Sequence, residues 1–210
     1  LVVAIINTGG WLMYAFILSI GMVCFWEYSG IVAPASRLSR AVFTGLGTAT
    51  ILIGIITEDP VVALLSIQAA GLLLAINFVL FPGAIETAWA RLSGLGFGFI
   101  YIAIAHTSIC LIEAASKSLQ TQAPETISGV WVYLMLIATW SNDTTAYFAG
   151  RAFGKHKLYE AISPKKTWEG AIGGALGSIV VPAAFVLGFQ DWMPSVTVVD
   201  ALWIGIPAAF

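Results

Sequence analysis

An acidic side chain lies inside a long apolar run of the sequence. Asp143 follows Asn142 within residues 131–150, a stretch that otherwise has the composition of a membrane helix. A carboxylate at the centre of such a helix costs about 2.5–3.5 kcal/mol on insertion scales, so intramembrane acids commonly mark a pathway or a site. A simpler interpretation puts Asp143 at the interfacial end, half hydrated and neutralised by Arg151 or Lys155. The polar side chains crowded onto the same turns favour a functional site.

A strongly basic segment follows that acid. Residues 151–169 hold five of the nine Lys and Arg residues of the chain. Attraction to anionic lipid head groups, worth about 1 kcal/mol per basic residue, accounts for part of this charge. A helix start is indicated further along, because Ser163 is a helix N-cap residue type and Pro164 suits the first helical position. Free amides at such a start, beside Lys165 and Lys166, would form an anion site suited to phosphate.

Two carboxylates flank this basic segment. Asp143 precedes it and Glu169 closes it. Magnesium typically takes one or two protein carboxylates and leaves its other positions to water and phosphate oxygens. We therefore expect Asp143 to bind Mg²⁺ or another divalent cation beside a phosphorylated substrate, directly or through water, with Asn142 next to it.

The composition defines the class of protein that must position these groups. Hydrophobic residues make up 59% of the 210 residues and charged residues 10%, and the mean hydropathy is +0.93. A soluble domain carries about 25% charged residues. The sequence therefore predicts an all-α polytopic membrane protein. The net charge of −2 gives no reason to expect a nucleic-acid partner.

Apolar runs separated by Gly, Pro and polar residues predict about eight transmembrane helices. Six runs have full length, at 11–29, 41–57, 61–81, 93–115, 130–150 and 170–189. The runs at 1–8 and 198–210 are shorter than the roughly 20 residues that span a bilayer. We expect these two to be truncated helices of a longer protein.

Three regions follow from this segmentation. They are N-terminal transmembrane helices over 1–129, a core helix pair over 130–189 that carries the basic catalytic loop 151–169, and the start of a C-terminal membrane region over 190–210. The second helix of the core pair has glycines at GxxxG spacing, which allows a neighbouring backbone to come close. These are Gly170, Gly173, Gly174 and Gly177.

The basic residues divide unequally between alternate loops. If the helices alternate in direction, one side holds eight Lys and Arg residues and the other side holds Lys117 alone. The eight are Arg37, Arg40, Arg91, Arg151, Lys155, Lys157, Lys165 and Lys166. Short loops rich in Lys and Arg stay in the cytosol. The sequence therefore predicts a multi-pass membrane protein with the basic loop on the cytosolic side.

Three consecutive stretches carry a family resemblance. They are SNDTTAYFAGR at 141–151, FGKHKL at 153–158 and ISPKKTWEG at 162–170. In order and spacing this segment resembles the central region of the CDP-diacylglycerol synthases, or phosphatidate cytidylyltransferases. The resemblance implies a multi-helix membrane enzyme that makes CDP-diacylglycerol and pyrophosphate from CTP and phosphatidate with Mg²⁺. It also implies a homodimer, here in a bacterial inner membrane, with a polar cavity open to the cytosol. The family's C-terminal signature, a Lys-Asp pair and a later Asp-Arg-x-Asp, does not occur in these 210 residues.

The resemblance implies roles for individual residues. Lys165 and Lys166 would bind the triphosphate, and Asp143 with Asn142 would hold magnesium or orient a lysine. Further candidates for binding phosphate are Arg151, Lys155, Ser163 and Thr167. A fragment that lacks the C-terminal signature is expected to be inactive by itself.

Trp168 and Glu169, in the third stretch, each have two possible roles. Trp168 would stack on cytosine or anchor the chain at the membrane interface, where Trp is enriched. Glu169 would position a residue that contacts the substrate without contacting the substrate itself, or would stabilise a helix start through the helix dipole.

Two other classes of function stay open. An ion- or proton-coupled transporter would use Asp143 as a coordinating group, but it predicts repeated halves or midplane polar residues on several helices. No internal repeat is evident here, and the polar residues gather at one end. Another CTP-dependent lipid-modifying enzyme, either a lipid kinase or a CDP-archaeol-type synthase, shares the substrate chemistry but not the ISPKKTWEG stretch.

Overall fold

The structure is a computed structural model that describes residues 1–32, 37–81, 84–122 and 129–209. Its α-helices in those ranges are α1 (Val2–Thr8), α2 (Gly10–Val32), α3 (Arg37–Thr57), α4 (Pro60–Leu80), α5 (Ala88–Gln122), α6 (Val130–Phe153), α7 (Trp168–Gly188) and α8 (Val198–Ala208). Two short strands, β1 (Lys157–Tyr159) and β2 (Ser163–Thr167), lie between α6 and α7. The chain forms two compact units, Leu1–Ala114 and Ala115–Phe210.

The expectation of an all-α polytopic membrane protein is confirmed. Among the described residues, α2, α3, α4, α5 and α7 are long and apolar enough to cross a bilayer. Helix α6 has 24 residues, but its polar turns at 141–145 lower its hydropathy. Helix α5, expected over 93–115, is longer than its apolar run and has 35 residues.

The first unit is organised around a cluster of aromatic rings. The ring centroids of Phe25 on α2, Phe43 on α3 and Phe99 on α5 lie 5.7 Å apart in each pairing. All three side chains are buried. The hydroxyl of Tyr28 donates to the carbonyl of Gly94 at 2.8 Å, which ties α2 to α5. Rings at these separations attract one another beyond their burial of apolar area.

The second unit depends on close packing of α7 against α6. An ideal Cβ built on Gly173 would lie 2.3 Å from Cβ of Ala149, and one on Gly177 would lie 2.0 Å from Oγ1 of Thr145. Only glycine permits such an approach, so the predicted GxxxG packing face is confirmed. Helix α8 completes the unit: an ideal Cβ on Gly205 would lie 2.3 Å from the carbonyl oxygen of Ser178.

The basic segment is a β-hairpin, which corrects the expected helix start at Ser163. Strand β1 pairs antiparallel with β2 so that Lys157 faces Thr167 and Tyr159 faces Ser163. Helix α7 instead begins at Trp168, where the Thr167 side chain accepts a hydrogen bond from the amide of Gly170 at 3.2 Å. The strand pairing keeps the backbone extended through Pro164, a residue that edge strands tolerate.

Candidate functional site

Asp143 lies in the interior of α6. It is ten residues from the last helical residue, Phe153, or about 15 Å along the axis at a rise of about 1.5 Å per residue. Its side chain is exposed, and among the described residues no ion pair or hydrogen bond holds its carboxylate. The neutralisation by Arg151 or Lys155 that the simpler interpretation required is therefore absent from the described part of the chain. The carboxylate is available to a ligand.

Asn142 lies on a different side of α6 from Asp143. Its side-chain amide donates to the carbonyl oxygen of Ala208 at 2.9 Å. Its Oδ1 lies against α7, at 2.8 Å from an ideal Cβ on Gly174. Consecutive helical residues are about 100° apart around the axis, so Asn142 joins α6 to α7 and α8 while Asp143 faces away from that contact.

A polar stripe continues from Asp143 toward the end of α6. Tyr147 and Arg151 follow it at four-residue intervals, and residues so spaced share one helix face. The guanidinium of Arg151 donates to the hydroxyl of Tyr147 at 3.0 Å, and both side chains are exposed. An acid, a phenol and a cation thus lie along one face of α6.

Thr167 anchors the hairpin to both helices. The side chain is buried, and its Oγ1 lies 3.2 Å from an ideal Cβ on Gly150 and 2.9 Å from one on Gly154. The same oxygen caps α7. Thr167 was expected to hydrogen-bond phosphate. The structure shows its hydroxyl engaged as the N-cap of α7.

Glu169 fixes the other side of the hairpin base through His156. Its carboxylate accepts hydrogen bonds from the backbone N–H of His156 at 3.3 Å and pairs with Nδ1 of the same residue at 2.7 Å. The carbonyl of His156 in turn accepts from the amide of Trp168 at 2.9 Å. We call these contacts the His156–Glu169 clamp. The clamp holds the start of the hairpin against the start of α7.

The two lysines of β2 lie in an irregular part of the hairpin. The two steps from Lys157 to Tyr159 oppose the four steps from Ser163 to Thr167, so the regular alternation of side chains is broken there, as at a β-bulge. Lys165 and Lys166 are both exposed. Their ammonium groups are therefore both open to a ligand at the end of the α6–α7 pair.

The remaining predicted residues lie around this hairpin. Lys155 is exposed in the turn after α6, and Ser163 is half-buried in β2. Trp168 has 55% of its side chain exposed at the start of α7. The structure thus brings the residues of 151–169 to one end of the α6–α7 pair. Their roles toward a substrate stay predictions.

The donor set fits a magnesium ion that is shared with a substrate. Among the described residues no group of three or more His, Cys, Asp or Glu side chains could hold a metal by itself. Magnesium usually binds through one or two carboxylates plus substrate phosphates and water. Asp143 supplies one such carboxylate. Glu169 is committed to His156, which leaves it a positioning role.

Two functional candidates escaped the sequence reasoning. His156 contacts Glu169 across 13 residues, a contact that exists only once the hairpin is formed. Tyr147 has a signal that the sequence does contain, namely its four-residue spacing from Asp143 and from Arg151.

The chain belongs to a family of nucleotide-transferring proteins. The model of the cytidylyltransferase family matches residues 1–210, so the chain is a member of the cytidylyltransferase family, as the sequence resemblance indicated.

Three curated proteins that are similar to this chain carry the same name. A phosphatidate cytidylyltransferase of Brucella abortus (biovar 1, strain 9-941) is 30% identical over 167 residues, which cover 78% of this chain and 54% of the relative. One of Staphylococcus saprophyticus is 32% identical over 123 residues, or 57% of this chain and 43% of the relative. One of Haemophilus influenzae is 48% identical over 52 residues, or 25% of this chain and 18% of the relative. The chain spans about half the length of the first of these.

Proposed function

We propose that this protein transfers the CMP moiety of CTP to phosphatidate and thereby forms CDP-diacylglycerol and pyrophosphate. One observation carries the proposal: an exposed acid inside a membrane helix, Asp143, lies on the same α6–α7 pair as an exposed basic hairpin. The family membership and the name shared by the relatives support this substrate pair.

The reaction needs positioning and neutralisation of charge more than covalent help from the protein. A phosphate oxygen of phosphatidate attacks the α-phosphorus of CTP. The bond between that phosphorus and the bridging oxygen breaks, and the electron pair leaves with pyrophosphate. Magnesium, when bound, neutralises charge on the phosphate oxygens, and Asp143 would hold it.

Different basic side chains would bind different phosphate groups of the two substrates. Lys165 and Lys166, both exposed in β2, would bind the triphosphate. Arg151, at the end of the polar stripe, would meet the phosphatidate head group or the leaving pyrophosphate. The His156–Glu169 clamp and the Thr167 cap would keep these cations at fixed positions. Such preorganised charge contributes most where water is excluded.

We also infer how the protein is oriented in the membrane and how it assembles. The loops rich in Lys and Arg would lie on the cytosolic side of a bacterial inner membrane, where CTP is available. Phosphatidate would enter from the bilayer, and the protein would act as a homodimer.

Transfer of labelled phosphate tests the proposal against a lipid kinase. The full-length protein is incubated with phosphatidate, Mg²⁺ and CTP labelled at either the α- or the γ-phosphorus, and the lipid is then extracted. A cytidylyltransferase puts the α-label, but not the γ-label, into lipid. Appearance of the γ-label in lipid would identify a kinase instead, and absence of both labels would contradict either enzyme.

A further inference from the structure

The first unit contains a groove of its own, whereas the acid and the hairpin belong to the second unit. Helices α3, α4 and α5 line an apolar groove with a volume of about 580 Å³. This volume is in the range of about 300–1,000 Å³ that small-molecule sites occupy. The buried side chains of Phe43, Ile67 and Phe99 form its floor, and the exposed side chains of Leu64 and Ile104 form its edge. The groove therefore opens at the surface of the unit.

Three of the four polar residues that line the groove lie at one end. Ser39 is near the start of α3, Asn77 near the end of α4, and Arg91 near the start of α5. Because a short turn reverses the chain between α3 and α4, and α5 begins where α4 ends, these three positions share one end of the unit. The fourth, Gln68, is near the middle of α4. The charge of the lining is therefore at one end, and the lining residues of α5 beyond it are apolar as far as Ile104.

Arg91 gives the polar end a positive charge. It is the one charged residue among the described residues that line the groove. Its guanidinium donates to the carbonyl of Ala84 at 2.6 Å and lies 5.8 Å from the centre of the Phe78 ring. These contacts hold the cation beside the groove rather than in bulk solvent. The complementary ligand group is an anion such as a phosphate.

The length of the groove suits one hydrocarbon chain. From Arg91 to Ile104 the groove follows α5 for about 20 Å at a rise of about 1.5 Å per residue. This length exceeds half of the roughly 30 Å hydrocarbon thickness of a bilayer.

We propose that the groove between α4 and α5 binds one anionic glycerophospholipid of the surrounding bilayer, with an acyl chain along the groove and the phosphate at Arg91. This site does not depend on the transfer chemistry of the second unit. Binding therefore needs neither CTP nor Mg²⁺, and a lipid that is no substrate for cytidylyl transfer serves as the probe.

Two glycines line the groove at positions where a larger side chain would project into it. An ideal Cβ on Gly71 or on Gly96, both in the lining, meets no atom within 4 Å. Leucine at either position would project into the groove without a clash at its base. Gly45 also has no atom within 4 Å of its ideal Cβ but does not line the groove, so Gly45→Leu is the matched control.

Native mass spectrometry of the purified, delipidated full-length protein with added phosphatidylglycerol measures the binding. We expect one lipid retained per protomer, at least a tenfold loss in Gly96→Leu and in Gly71→Leu, and no loss in Gly45→Leu. Arg91→Gln should weaken retention about fivefold, which corresponds to about 1 kcal/mol for one basic residue at an anionic surface. The exposed Arg37, at the start of α3, gives the charge control Arg37→Gln, which should bind as wild type.

Three results would overturn the inference. The first is wild-type retention of phosphatidylglycerol in both leucine variants that keep their helical circular dichroism. The second is equal retention of phosphatidylcholine and phosphatidylglycerol together with no effect of Arg91→Gln. The third is a change of oligomeric mass in the leucine variants with lipid retention unchanged, which would assign the groove to a second copy of the protein.

Discussion

Replacement of Gly173 by alanine should separate α7 from α6 and reduce cytidylyl transfer. The new methyl group would lie 2.3 Å from Cβ of Ala149, whereas carbon atoms in contact are about 3.5–4.0 Å apart. The helices must therefore move apart locally by about 1.5 Å. Overpacking of this kind costs about 1–3 kcal/mol, and the higher helix propensity of alanine recovers up to about 1 kcal/mol of it.

The displacement matters more for activity than for stability. The hairpin directly precedes α7 in the chain, and β2 ends at Thr167 where α7 begins at Trp168. Movement of α7 therefore changes the position of Lys165 relative to Asp143. A misplacement of about 1 Å can cost roughly 100-fold in rate. We expect a loss of that order for Gly173→Ala in the full-length protein, measured as CTP-dependent formation of CDP-diacylglycerol in mixed micelles. The melting temperature should fall by only a few degrees, because 1 kcal/mol corresponds to about 2–4 °C in a chain of this size.

Two further variants control this experiment. Gly188, on the same helix, has no atom within 4 Å of its ideal Cβ, so Gly188→Ala should keep wild-type activity. The double variant Gly173→Ala with Ala149→Gly transfers the methyl group to the other helix and should recover most of the activity. Wild-type turnover of Gly173→Ala, or failure of Ala149→Gly to rescue it, would refute the packing argument.

The remaining predictions concern the hairpin. Lys165→Ala and Lys166→Ala should each lower turnover and raise the KM for CTP, because both exposed ammonium groups lie in β2 at the end of the α6–α7 pair. Wild-type values of both constants in both variants would contradict a role of the hairpin in binding phosphate. Glu169→Ala should speed amide hydrogen exchange at His156 and lower turnover about tenfold, because the carboxylate holds the base of the hairpin. The control Glu160→Ala, in the exposed hairpin turn, should change neither the exchange rate nor the turnover. Unchanged exchange at His156 in Glu169→Ala would show that the His156–Glu169 clamp does not form.

The sequence is sufficient to predict the helices and the close packing of α7 against a neighbouring helix. Runs of apolar residues between Gly, Pro and polar breaks locate the described helices because each run must satisfy its backbone internally in lipid. The glycine spacing of α7 likewise predicts packing against a neighbour, and the approach of Gly173 and Gly177 to α6 confirms it.

The hairpin could not be predicted from local preferences. Ser163 and Pro164 are residue types that favour a helix start, yet they lie in β2 because Lys157 pairs with Thr167 across the turn. That pairing is a non-local contact, and a short two-stranded ribbon is marginal unless other elements hold it. Here the anchors are Thr167 on the helix pair and Glu169 on His156, and neither contact is evident before the strands are paired.

Transfer of the α-label of CTP to phosphatidate by Asp143→Asn tests the central claim most directly. The substitution removes the carboxylate and keeps the shape of the side chain. The control is Asp191→Asn, at an exposed acid in the turn Gln190–Trp192. We predict that the wild-type protein and Asp191→Asn label the lipid at equal rates, whereas Asp143→Asn, inserted in the membrane at wild-type level, does not label it. Labelling by Asp143→Asn at the wild-type rate would contradict the assignment of the site to this helix.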